Sequence, residues 1–192
     1  DIFTDAGDVG TRIHDIREKI FTKWIETGVR PAAFADFIPP HDPDIRVASA
    51  IAALEKFCIE KRYIPIATEL KVYSHKYKVA GTLDDLGLMC EEVRKGDNPE
   101  CDHMNETLDG GRASIIIPHD TQNKDCCMRC NAKWKWLFVL IDVKTSNRFK
   151  DSYFVQVAMY FDFLRKLTGL KPDRAFILKL SKEDRTYKIE DL

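Results

Sequence analysis

Long apolar runs are missing from the sequence, and no stretch approaches the roughly 18 consecutive apolar residues that a helix needs to cross a membrane. The first residues also lack the basic and apolar regions of a secretory signal peptide. Both absences argue against a membrane protein and against a secreted one. We therefore expect a cytoplasmic protein without a membrane partner.

A net charge of either sign is missing as well, because 30 Lys and Arg residues stand against 31 Asp and Glu residues, for a formal charge of -1. The chain as a whole therefore gives no signal for binding a polyanion, and any surface for nucleic acid must be local. Basic side chains outnumber acidic ones from Lys144 to the end of the chain. This half is a candidate phosphate-facing surface, and a solvated surface of mixed charge explains the excess equally well.

Repeats and low-complexity tracts are absent too, and 192 residues with 44% hydrophobic composition are enough for one substantial core. We expect a single domain over residues 1–192. Residues 88–135 differ from the rest because they are polar, rich in Asn, Asp and Gly, and hold five of the six cysteines. They predict an insertion between two strands of a sheet.

Helices are predicted where apolar residues recur every three or four positions. Residues 8–27 and 150–168 show this period, and Gly169 is well placed to end the second of these helices. A proline-rich loop over residues 28–43 leads to Asp44, which can cap a further helix. The chain therefore has helices on both sides of its β-rich part.

Strands are predicted in four places. The β-rich runs at residues 63–73 and 77–85, joined by residues 74–76, predict a hairpin. The unbroken apolar run within residues 136–145 predicts a strand that is buried on both faces in the middle of a sheet. Residues 175–180 predict another strand. The order of these elements predicts an α/β fold in which helices flank a mixed central sheet.

A carboxylate and a lysine share one face at the end of the predicted central strand. Asp142 and Lys144 are two residues apart, so their side chains leave the same face, while Val143 can offer its main-chain carbonyl. Such a carboxylate can hold Mg²⁺ or Mn²⁺, and the lysine can activate water, which together suit phosphodiester hydrolysis. The alternative is a surface ion pair at a strand end.

The same acid-x-lysine pattern occurs a second time, at Glu69 and Lys71. We prefer Asp142 as the central acid because a buried apolar run precedes it and because Asp84 is expected to end the preceding strand. Glu69 is then an additional carboxylate on the other arm of the predicted hairpin.

Four short motifs occur in order along the chain: GTRIHDIRE at residues 10–18, GTLD at 81–84, IDVKTS at 141–146 and QVAMY at 156–160. They resemble the histidine motif, the second and third motifs and the Gln-xxx-Tyr helix of RecB-type nucleases, the exonuclease branch of the PD-(D/E)XK superfamily. The resemblance implies a restriction-endonuclease-like core. It also implies a metal-dependent DNA nuclease, most often an exonuclease of recombination, repair or phage DNA processing, in the cytoplasm of a bacterium or of a phage-infected host cell.

The resemblance also assigns roles to residues. His14, Asp84 and Asp142, with the main-chain carbonyl of Val143, would bind the Mg²⁺ or Mn²⁺ ion. Lys144 would be the catalytic lysine. Without the other motifs, a single histidine such as His14 on an amphipathic helix is more often exposed or satisfied locally than a metal ligand.

Three more catalytic candidates follow from the same resemblance. Glu69 matches the acid that often precedes the second motif. Gln156 and Tyr160 match helix residues that support the site and approach the DNA, and their i, i+4 spacing places both on one face of a helix. The alternative is an exposed Gln156 and a Tyr160 that belongs to the core.

Two further functions stay open. A structure-dependent endonuclease would use the same residues, and a catalytically inactive, zinc-stabilised DNA-binding module would keep the fold without turnover. DNA is the expected partner in all three cases. The residues give no indication of an oligomer or of a recombination partner protein.

Cysteines predict a structural zinc site in the insertion. Cys127 and Cys130 have the spacing of a zinc knuckle, and we expect Cys90 and Cys101 to complete the site. Zinc would stabilise a polar segment that cannot bury enough apolar surface by itself. The alternative ligands are His103 and Cys126, and the alternative state is free cytosolic cysteines.

An iron–sulfur cluster is not expected. Relatives in the same nuclease branch that carry one place cysteines after the Gln-xxx-Tyr helix, and this chain has no cysteine after Cys130.

Overall fold

A computed structural model of the protein describes residues 2–42, 44–93, 133–146 and 149–192. Its three α-helices are α1 (Ile2–Thr27), α2 (Ile45–Glu60) and α3 (Asp151–Thr168), with a short 3₁₀ helix at Phe34–Phe37. In the described ranges, none of the helices combines the length and the apolar character that crossing a membrane requires.

The helix ends follow the sequence signals. Asp44 caps α2, since its side chain accepts a hydrogen bond from the amide of Arg46. Gly169 ends α3 with a left-handed φ of 75°, and its amide donates to the carbonyl of Arg165. Both predicted caps are therefore confirmed, whereas α1 begins earlier than the expected residue 8.

A mixed sheet of five strands lies between the helices, in the order β1-β2-β3-β4-β5. Neighbouring strands are antiparallel except β3 and β4, which are parallel and are connected through α3. The strands are β1 (Ile64–Ser74), β2 (Val79–Val93), β3 (Lys133–Lys144), β4 (Arg174–Leu180) and β5 (Tyr187–Asp191).

Both faces of the sheet are covered. On one face, α1 and α2 pack against β3 residues Val139, Ile141 and Val143. On the other face, α3 packs against Leu140 of β3 and Leu83 of β2. This alternation along β3 explains its unbroken apolar run, because each face meets a helix layer. The predicted α/β fold with a mixed sheet flanked by helices is confirmed.

The predicted bounds of the insertion are wrong at both ends. β2 continues to Val93 and β3 begins at Lys133, and these two residues pair with each other. Residues 88–93 and 133–135 therefore belong to the sheet. The many charged residues in these two segments conceal the strand period in the sequence.

Two other expectations differ from the structure. Asp84 does not end a strand, because β2 runs on from it to Val93. β5 was not predicted; it is a short strand at the sheet edge with partly buried and exposed positions. Its apolar residues Tyr187 and Ile189 have the strand spacing of two, but two apolar positions are too few to signal a strand.

Gly87 provides a test of the packing between β1 and β2. A Cβ atom there would meet the Tyr63 ring and would lie 2.5 Å from the carbonyl oxygen of Ile64, which is backbone and cannot move aside. We expect Gly87→Ala to lower the free energy of unfolding by about 1–3 kcal/mol. Chemical denaturation monitored by circular dichroism measures the change.

Gly7 supplies the matched control. A Cβ atom on Gly7 meets nothing within 4 Å, and the residue lies inside α1. Gly7→Ala should therefore stabilise the protein by up to about 1 kcal/mol. Equal effects of the two substitutions would contradict the packing described around Gly87.

Candidate active site

The sheet divides next to Asp84, at a place we call the fork. β2 and β3 pair from Val93↔Lys133 as far as Asp85↔Ile141, and no further pair joins them within the described strands. At the fork the carboxylate of Asp84 accepts a hydrogen bond of 2.6 Å from the amide of Val143. The Asp84 side chain thus accepts the hydrogen bond from β3 that the main chain of β2 would accept in a continuous ladder. It links the two strands at the point where they separate.

Both strands of the hairpin lose the regular alternation of their two faces next to the fork. Leu83 and Leu86 contact the same core beside α3 although they are three residues apart, and Ala67 and Leu70 do the same on β1. Residues on one face of a regular strand are two apart, so each strand has an irregularity, at Asp84 and at Glu69.

At Glu69 the irregularity lies in the backbone, which has a left-handed φ of 51°. For a residue other than glycine, this conformation costs about 1 kcal/mol or more. The side chains of Glu69 and Asp84 both contact α1. The local distortion therefore directs two carboxylates towards one helix.

Arg17 of α1 binds these carboxylates from the buried side of the cluster. It is fully buried, and Nη1 donates a hydrogen bond of 2.5 Å to Oδ2 of Asp85. Nη2 donates to Glu69 and lies 3.8 Å from Oδ1 of Asp84. Burial alone would lower the pKa of Arg17, but the three carboxylates raise it, so the guanidinium stays charged.

Asp85 is also buried, and Thr68 donates a hydrogen bond to it as well, over 2.9 Å. Burial raises the pKa of Asp85 to about 7, while Arg17 opposes the shift. Neither Arg17 nor Asp85 was predicted from the sequence. The signal for Arg17 was its place one helical turn after Ile13 and one turn before Ile20, on the buried stripe of α1.

His14 lies on the outer side of this cluster, one turn before Arg17. Its Nδ1 is 3.9 Å from Oδ1 of Asp84, and one ligand atom each from His14, Glu69 and Asp84 lie within 4.8 Å of one another. Burial lowers the pKa of His14, against the opposing effect of Asp84. The neutral imidazole that results is the form that binds metal ions.

Asp142 and Lys144 approach the fork from β3. Asp142 is 1% exposed, and its Oδ2 lies 2.8 Å from Nζ of Lys144. Neither oxygen accepts a well-aligned hydrogen bond from any described residue. Burial raises the pKa of Asp142 to about 6, Asp84 adds to the shift and Lys144 opposes it.

Oδ2 is paired with the Lys144 ammonium, whereas Oδ1 has no such partner among the described residues. A carboxylate oxygen without a partner is expensive to bury unless a cation binds it. The donor set at the fork consists of carboxylates and a neutral imidazole, which suits a divalent cation such as Mg²⁺ or Mn²⁺. The side chains present therefore fit the predicted ion.

The main chain of Val143 also faces the fork. Its amide donates to Asp84 of β2, and the amide and carbonyl of one residue point to the same side of a strand. The carbonyl is thus directed towards β2, as its predicted role requires.

Gln156 and Tyr160 lie one turn apart on α3. Nε2 of Gln156 donates a hydrogen bond of 2.8 Å to the hydroxyl of Tyr160. The Tyr160 ring packs over Gly81, where a Cβ atom would lie 2.6 Å from its hydroxyl oxygen. Among the described residues, the hydrogen bonds of this pair join the two side chains to each other and not to the acids. Their packing supports the segment of β2 that leads to Asp84.

The predicted zinc ligands lie mostly outside the described residues. Cys90 is described: it is buried in β2, opposite Trp136. The others fall in the range that the structure does not describe, namely Cys101, His103, Cys126, Cys127 and Cys130. The zinc site therefore stays a prediction.

Comparisons of the chain with protein-family models, with curated proteins and with solved structures gave no match. The assignment of a function consequently rests on the residues and their geometry.

Arg17 and Arg12 allow a matched test of the buried charge cluster. Both lie on α1 and both donate hydrogen bonds to two carboxylates, but Arg12 is partly exposed and binds Asp42 and Asp44 at 2.7 and 2.8 Å. We expect Arg17→Met to lower the free energy of unfolding by about 3–5 kcal/mol, since it leaves buried carboxylates without a counter-charge. Arg12→Met should cost about 1 kcal/mol or less.

The loss of folding stability caused by Arg17→Met should depend on pH. The pKa of Asp85 is raised in the folded state, and without Arg17 it rises further, so proton uptake favours the folded protein. The difference in the free energy of unfolding between the wild type and the variant, which we call the deficit, should shrink as the pH falls from about 8 to about 5.5. Denaturation curves at several pH values measure it, and a deficit that is constant or grows would contradict the role given to Asp85.

Proposed function

We propose that the protein is a metal-dependent DNA nuclease with a restriction-endonuclease-like core, which hydrolyses phosphodiester bonds at the fork. The observation that carries the proposal is Asp142: a buried carboxylate without aligned hydrogen bonds, next to a lysine and at the place where Asp84 closes the ladder.

The ligands fall into two groups. His14, Glu69 and Asp84 have atoms close enough to share one ion. Asp142 lies outside this group of close ligand atoms, and with the Val143 carbonyl it would add oxygen ligands from β3. A bound Mg²⁺ or Mn²⁺ ion would supply a more acidic water and offset negative charge on the phosphate.

Lys144 is the group that would meet the nucleophile. Its ammonium is held by Asp142 at 2.8 Å and lies 5.0 Å from the centroid of the Tyr153 ring, yet its side chain keeps 19% exposure. A fixed, partly solvated ammonium can orient a water molecule or donate to a phosphate oxygen. Arg17 cannot take this part because it is fully buried.

The proposed type of nuclease rests on the resemblance of the four motifs. Their resemblance to RecB-type enzymes supports an exonuclease of recombination, repair or phage DNA processing. Cutting of covalently closed circular DNA would instead identify an endonuclease. Tight binding of DNA without hydrolysis in any divalent cation would identify an inactive binding module.

Lys144 and Asp142 can be tested against matched residues of β5. We expect Lys144→Ala and Asp142→Asn to lower the rate of digestion of linear DNA in Mg²⁺ or Mn²⁺ by about 100-fold or more. Lys188 and Glu190 are an exposed lysine and an exposed acid on a strand at the far edge of the sheet. Lys188→Ala and Glu190→Gln should digest DNA like the wild type.

The expected losses should appear in single-turnover assays with protein whose folding has been verified by circular dichroism. Digestion by the Lys144→Ala protein at the wild-type rate would rule out the proposed centre.

The ligand set has a test of its own. Glu69→Gln should raise the concentration of Mn²⁺ that gives half-maximal activity by about 10- to 100-fold. Glu18 is an exposed acid on α1 whose charge acts on Glu69 but which lies outside the group of ligand atoms. Glu18→Gln should leave this Mn²⁺ concentration within about twofold, since it removes a nearby charge but no ligand. Equal shifts in the two variants would show that Glu69 acts through charge alone.

A further inference from the structure

The tip of the β1–β2 hairpin combines basic and aromatic residues without any acid. Residues 71–80 contain three lysines, two tyrosines and a histidine, and neither Asp nor Glu. All six of these side chains are exposed, namely Lys71, Tyr73, His75, Lys76, Tyr77 and Lys78. In a chain with a formal charge of -1, this is a local basic surface with aromatic rings set into it.

Part of this surface continues directly from the proposed active site. Val72 packs into the core beside α3, and its partner Gly81 lies under Tyr160. Side chains alternate along a strand, so Lys71 and Tyr73 lie on the opposite face, towards α1.

The acids of the fork contact the same side of the sheet. Asp84 and Glu69 both reach residues of α1. Tyr73 pairs with Ala80, four residues before Asp84, which corresponds to about 13 Å along the strand. One sheet face therefore runs from the acids to the tip of the hairpin.

Tyr73 is the ring best placed to receive a ligand on this face. It is 45% exposed, and the His75 ring meets it edge-on with the centroids 4.9 Å apart. Its neighbours on the same side, Lys71 and Ala80, are exposed as well. The ring is therefore supported at one edge while much of its surface remains accessible.

We propose that this face, formed by Lys71, Tyr73 and His75, binds a single-stranded segment of DNA and guides it to the fork. The inference rests on the proposed nuclease function, because it names the form of DNA that the site receives. Lysines attract the phosphates, and an exposed aromatic ring stacks on an unpaired base. The bases of a duplex are stacked on each other and cannot use such a ring, which is why the surface favours a single strand.

Tyr77 offers a control of the same residue type in the same hairpin. It is 53% exposed, so it is at least as accessible as Tyr73. Its ring belongs to the α3 side, where it lines a groove of about 560 Å³ with Val155 and Met159 and lies 5.6 Å from Nζ of Lys166. It therefore faces away from the proposed path.

The test is binding of fluorescein-labelled oligo(dT) of about 20 nucleotides to the full chain, measured by anisotropy in EDTA. We expect Tyr73→Ala to weaken binding by about tenfold or more, and Tyr73→Phe and Tyr77→Ala to stay within about twofold of the wild type. Lys71→Gln should reduce the slope of log affinity against log salt by about 0.7, the value for one phosphate contact on a single strand.

Several results would overturn the proposal. One is an affinity of Tyr73→Ala for oligo(dT) that equals that of the wild type. A second is a loss of affinity in Tyr77→Ala as large as that in Tyr73→Ala. A third is binding of a blunt DNA duplex of the same length as tightly as oligo(dT). Binding of oligo(U) as tightly as oligo(dT) would overturn the assignment to DNA. Hydrolysis is measured separately, so a protein that binds oligo(dT) through Tyr73 but digests no DNA contradicts only the nuclease function.

Discussion

The contact between Arg17 and the carboxylates of Glu69, Asp84 and Asp85 is the interaction on which the rest of the structure depends. Acids gathered at a dividing sheet repel one another and resist burial, so they stay together only with a counter-charge inside the cluster. Arg17 supplies that charge from the buried face of α1. The same contact fixes how α1 packs on the sheet, because a guanidinium bound to two strands at once permits few orientations. Packing of α1 on the sheet and assembly of the acidic site therefore depend on the same contact.

The position of the fork follows from the strands themselves. Antiparallel pairing of β2 with β3 stops at Asp85↔Ile141, and the next main-chain donor, that of Val143, is taken by the Asp84 side chain. Beyond this point β3 pairs only with β4 among the described strands. Polar side chains can therefore enter the plane of the sheet, where the ladder of a continuous sheet would leave no room for them. The local loss of regular pairing thus makes room for these polar side chains.

Much of the fold could be predicted from the sequence, because helices with a period near 3.6 and a central strand with an unbroken apolar run are strong signals. The spacing of Asp142 and Lys144 also predicted a shared face, and these residues do lie side by side. Arg17 was missed because a charged residue on an apolar stripe ordinarily argues for exposure, and its partners are distant in sequence. β5 was missed since a strand of five residues with only two apolar positions, neither of them fully buried, gives too weak a signal. The backbone geometry of Glu69 could not be predicted from the sequence, because it depends on the pairing of two strands and on contact with a helix.

The backbone of Glu69 has a consequence for how this protein can evolve. A glycine would adopt the left-handed φ of 51° at less cost, but it would remove the carboxylate that accepts a hydrogen bond from the buried Arg17. Loss of a hydrogen-bond partner of a buried charge costs about 1–3 kcal/mol, at least as much as the roughly 1 kcal/mol of backbone strain that glycine would relieve. Selection for thermal resistance alone therefore does not favour glycine at this position, and the acid can persist there.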